Sequence, residues 1–110
     1  MDRRIVEKIS EMINNTSYLV RNTACFLIKN FAEKGSEREY MEFFEGNLVD
    51  FLVSLVKDKI SNVRLVAGVS VMKAKKFIKD KSCAEKINKC LDILKADKDA
   101  DVQKEMRKVL

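Results

Sequence analysis

The sequence predicts an all-α chain of 110 residues, folded as an α-α superhelix of three antiparallel helix pairs in one domain. Three observations predict this. Apolar residues return at i, i+3/i+4, i+7 spacing along nearly the whole chain. Proline is absent and glycine occurs only three times, so little interrupts a helix. One pattern also occurs three times: an apolar line ends at Asp or Asn, and five residues later comes Val followed by Arg or Gln. The copies are Ile5, Ile9, Met12, Asn15, Val20, Arg21; Leu48, Leu52, Leu55, Asp58, Val63, Arg64; and Ile87, Leu91, Leu94, Asp97, Val102, Gln103. A repeat of about 40 residues with helical periodicity marks a stacked-helix solenoid.

Each element follows in order. Residues 3 to 14 carry Ile5, Val6, Ile9, Met12 and Ile13 on one side of a helix. Asn14-Asn15-Thr16-Ser17 is a cluster of turn and cap formers. A second helix is expected from Tyr18 to Lys34, with Val20, Ala24, Leu27, Ile28 and Phe31 inward and Gly35 as a left-handed C-cap. Ser36 and Glu39 have capping-box spacing. The helix they start carries Tyr40, Met41, Phe43 and Phe44, is broken or kinked at Gly46-Asn47, and resumes from Leu48 to Lys57.

After a turn at residues 58 to 61, a helix from Asn62 to Asp80 places Val63, Ala67, Ser70, Val71, Ala74 and Ile78 on one stripe. Ser82 is the expected cap of a helix over Cys83 to Lys95, with Ile87, Cys90, Leu91 and Leu94 inward. Asp101 is the expected cap of a last helix reaching Leu110. Ala24 and Ala67 share one position, where a small residue lets paired helices approach, and Met106 departs from it. The repeats run over about residues 3–35, 36–80 and 82–110.

Composition narrows the functional classes. There is no histidine, hence no usual general base or nucleophile activator. The glycines are isolated and form no phosphate loop. Cys25, Cys83 and Cys90 have neither disulfide-framework nor metal-knuckle spacing and read as structural thiols. The expectation is a non-enzyme with no cofactor and no metal. No apolar run reaches the roughly 20 residues a membrane helix needs, and the charged start lacks a signal-peptide core. A location in the cytoplasm, or also the nucleus, is expected.

The repeated residues resemble the HEAT repeat, in which a turn Asp and an Arg early in the second helix commonly form a ladder along the stack. Asp58, Arg64 and Asp97 match those slots; Asn15 and Gln103 are uncharged versions. Tyr18-Leu-Val-Arg, then Asn62-Val-Arg, then Asp97-Lys-Asp-Ala-Asp-Val resemble more narrowly the last three repeats of protein phosphatase 2A scaffold (A) subunits, over about Ile5 to Leu110. That resemblance implies a non-catalytic scaffold whose intra-repeat turns form a ridge holding a protein phosphatase catalytic subunit. Regulatory subunits are a further expected partner, and a separate third reading is a HEAT fragment that pairs with copies of itself through uncapped ends. Carried across, the ridge is Tyr18, Leu19 and Arg21; Ser61, Asn62 and Arg64; and Asp99, Ala100 and Asp101. Against a binding role, Tyr18 could staple its turn, Arg21 and Arg64 could serve only the ladder, and Asn62 and Asp101 could simply cap helices.

The net charge of +5 is uneven: residues 1–57 balance to −1 and residues 58–110 to +6. Lys73, Lys75, Lys76, Lys79 and Lys81 are the dense part, which makes a nucleic-acid-binding HEAT-like module the alternative reading. These lysines spread around a helix end instead of forming a stripe, and only Phe77 lies among them for base stacking.

Overall fold

A computed structural model describes residues 3–108. The all-α expectation holds: all regular structure among the described residues is helical. The elements are α1 (Arg3–Ile13), α2 (Tyr18–Glu33), α3 (Arg38–Phe43), a π segment (Phe44–Leu48), α4 (Val49–Leu55), α5 (Ser61–Lys75), α6 (Lys81–Lys95) and α7 (Ala100–Arg107). Helix α3, the π segment and α4 follow one another directly, so the described residues make six helical rods. The expected end of the last helix at Leu110 lies outside the described residues.

Gly46-Asn47 does not break this third rod. The helix widens there into a π turn, and Asn47 Nδ2 donates to the carbonyl of Phe43 at 3.1 Å. A widened turn loosens the regular i→i−4 ladder, and a short amide side chain can satisfy the carbonyl it frees.

Within each sequence copy the two rods pack together: α1 on α2, α4 on α5, α6 on α7. Between copies, α2 lies along α5 in the most extensive contact of the molecule, and α5 along α7. Helix α1 touches α4, and α4 packs on α6. The body measures 36 × 32 × 20 Å, and its thin dimension is that of two helices laid side by side. One continuous core fills it, with Ile9, Ala24, Ile28, Phe44, Leu48, Leu52, Val63, Ala67, Val71, Leu94 and Val102 fully buried. Ala24 and Ala67 lie in this core as expected. Met106 is also buried and reaches Gly68, whose missing side chain leaves room for it.

Several local expectations are corrected. Leu27 is exposed; the inner face of α2 is Arg21, Ala24, Cys25, Ile28 and Ala32. Gly35 is not left-handed, since no glycine has positive φ. It is buried beneath Phe77, and a Cβ there would lie 2.7 Å from Phe77 Cγ and 2.9 Å from Met41 Cε. Helix α5 stops at Lys75, not Asp80, because the Glu45 carboxylate takes the N–H groups of Lys79 and Asp80 at 2.8 and 2.7 Å. The caps shift as well. Glu37, not Ser36, precedes α3; Asp80, not Ser82, caps α6 by accepting from Cys83 N at 2.9 Å; and Asp99, not Asp101, caps α7.

All three cysteines are buried free thiols. Burial pushes Cys25 up to about 12 and Cys83 and Cys90 up to about 11, so none is a ready nucleophile. No described helix is long and apolar enough to cross a membrane.

Candidate protein-binding ridge

The repeated Asx–Val–Arg pattern builds the same turn three times. In each copy the Asx side chain accepts the N–H two residues on: Asn15 from Ser17 at 2.8 Å, Asp58 from Ile60 at 2.9 Å, Asp97 from Asp99 at 2.9 Å. Six residues after each Asx, a long side chain reaches back to its carbonyl. Arg21 Nη1 donates to Asn15 O at 3.0 Å, Arg64 Nη1 to Asp58 O at 2.7 Å, and Gln103 Nε2 to Asp97 O. The spacing in the sequence is thus the spacing of a clamp that closes the turn and starts the second helix.

The two arginines also join one copy to the next. Arg21 Nε and Nη2 meet both oxygens of Asp58 at 2.7 and 3.1 Å, and Arg64 meets both oxygens of Asp97 at the same two distances. These are bidentate, charge-assisted pairs. Arg21 is buried, and Arg64 is largely covered. Burial opposes ionisation of Asp58 and Asp97, but the arginines and the turn N–H groups outweigh it and hold both carboxyls below their ordinary range. The bonds to Asp58 and Asp97 raise the two guanidiniums further. The first and last slots of the pattern, Asn15 and Gln103, carry no charge and have no such ladder partner among the described residues.

Because the turns are tied together and α2, α5 and α7 lie side by side, the first turns of these helices share one edge. There the nine expected ridge residues divide. Tyr18 and Leu19 are 44 % and 62 % exposed, and Asn62, Ala100 and Asp101 are exposed too. Ser61 and Asp99 are half-buried. Asp99 accepts from Asp101 N and Val102 N at 2.9 and 3.2 Å, so it serves its own helix. Arg21 and Arg64 turn inward to the ladder, and Arg64 also lines the groove between the second and third turns. Asn62 is the second residue of α5 and Asp101 the second of α7, so neither caps its helix.

Sequence reasoning missed a groove of about 490 Å³ between the second and third turns, lined in part by Lys57, Lys59, Lys98, Asp58 and Asp97. The signal was present: Lys59 and Lys98 each follow the turn Asp directly. The Lys73–Lys81 stretch is not one basic surface. Lys76 and Lys79 share a groove with Glu42 and Glu45, Lys73 and Lys76 share another with Glu33, and the Lys76 ammonium sits 5.1 Å from the centre of the Phe77 ring. Among the described residues no group of three or more His, Cys, Asp or Glu could hold a metal ion.

A scan against protein-family models, a search of curated proteins and a search of solved structures return no match to this chain.

Proposed function

We propose that the chain is a HEAT-like helical superhelix acting as a non-catalytic scaffold, and that its turn ridge holds a protein phosphatase catalytic subunit. The observation that carries the reading is the Arg21–Asp58 and Arg64–Asp97 ladder, which fixes three helix starts on one edge and leaves Tyr18, Leu19, Asn62, Ala100 and Asp101 facing outward. A surface held rigid before binding loses little conformational freedom on association. Tyrosine is among the residue types that dominate protein interfaces, and Tyr18 is exposed on this edge. The choice of partner comes from the sequence resemblance.

Biolayer interferometry with a purified phosphatase catalytic subunit tests this. Wild type binds, and the Tyr18→Ala/Asn62→Arg variant binds at least tenfold more weakly. Absence of wild-type binding rejects the partner; equal binding by both rejects the ridge.

A further inference from the structure

The three copies are buried unequally. Ile5 is 36 % exposed, while its counterparts Leu48 and Ile87 are 0 % and 1 % exposed. Val20 is half-buried, while Val63 and Val102 are fully covered. Thr23 and Leu27 are exposed, while Val66 and Ser70, at the same positions of the second copy, are buried. Positions covered by a neighbouring rod in later copies are therefore bare in the first. Of the five large hydrophobic residues exposed among the described residues, Tyr18, Leu19, Phe26 and Leu27 lie on α2.

Charge selects what covers this face. From Tyr18 to Ile28 the only charged side chain on α2 is Arg21, which is buried. At the far edge, the Lys29 ammonium lies 5.2 Å from the Phe26 ring centre and 3.5 Å from Glu33, giving a rim of both signs. The opposite end of the molecule differs: α7 exposes Asp101, Lys104 and Arg107, with Lys108 just beyond it. Stacking copies head to tail would bury these charges against apolar α2, which is costly without partners. A two-fold contact sets the neutral face against itself and lets the Lys29/Glu33 rims oppose each other.

We propose that the chain forms an isologous dimer through the outer face of α2, centred on Phe26 and Leu27. Light scattering coupled to size exclusion at about 100 µM tests it, a concentration well above the micromolar range of moderate association. The expected mass is twice the chain mass of 12.7 kDa. Phe26→Lys reduces it to the monomer with unchanged helical circular dichroism, and Lys104→Glu leaves the dimer intact. A monomeric wild type, a Phe26→Lys dimer, or masses that climb past the dimer with concentration overturns the proposal. An Asn62→Arg change alone, on α5 and outside the α2 face, reads ridge binding without touching the dimer contact, so the two can fail separately.

Discussion

Arg64 and Asp97 stand 33 residues apart and meet through two parallel bonds of 2.7 and 3.1 Å, with the same arginine closing its own turn on the carbonyl of Asp58. One side chain thus ends a turn, starts a helix and joins two copies. Removing one partner from such a covered pair leaves the other charge without compensation. Asp97→Ala is expected to cost about 3 kcal/mol in urea unfolding. The Arg64→Met/Asp97→Leu variant, which removes both charges, is expected to cost less than the sum of Arg64→Met and Asp97→Leu. Additive losses would contradict the coupling.

The ladder also sets the response to acid. Asp58 and Asp97 have folded pKa values below the unfolded aspartate value of about 3.9. Between those values the unfolded chain binds more protons, so stability rises with pH there. The contribution is complete above the unfolded value and is lost as pH falls through the folded ones. The melting temperature should hold down to about pH 5 and fall below about pH 4. In Asp58→Asn/Asp97→Asn, which starts lower, the fall should be shallower; parallel curves would show that other carboxyls control it.

Two glycines should respond in opposite directions. Gly35→Ala drives a methyl into Phe77 and Met41 and is expected to destabilise by about 1–3 kcal/mol. A methyl added at Gly46 would meet nothing within 4 Å, so Gly46→Ala is expected to stabilise by about 0.5–1 kcal/mol through helix propensity. Thermal denaturation reads both signs. Loss of stability at Gly46 would mean that the π segment itself requires glycine.

Asn22 supplies a fourth test. Its Oδ1 is buried without a hydrogen-bond partner, and the second copy has Leu65 at the same position. Asn22→Leu removes an unsatisfied acceptor while keeping the same branched side-chain skeleton, and is expected to stabilise by about 1 kcal/mol. A destabilised variant would show that the amide is satisfied in solution.

What was legible in the sequence was what periodicity and turn chemistry carry. The rods and the buried Ala24 and Ala67 followed from spacing, because apolar faces are local signals, while the ladder role of Asp58, Arg64 and Asp97 followed from the HEAT-repeat resemblance. What stayed hidden depended on contacts distant in sequence. Glu45 ends α5 early from more than 30 residues away, and Phe77 dictates Gly35. Leu27 has the spacing of a core residue but lies on a face that no described element covers. Among the ridge residues, the arginines' inward orientation could not be read from composition, since a ladder arginine and a binding arginine look alike until the partner aspartate is placed.

Whether the three turns act as one binding edge is decided by hydrogen exchange on the complex with a phosphatase catalytic subunit. Binding should slow exchange together at the starts of α2, α5 and α7, around residues 18–21, 61–64 and 99–102, with little change at residues 73–81. Protection confined to residues 73–81, or absent from all three helix starts, would contradict a shared edge.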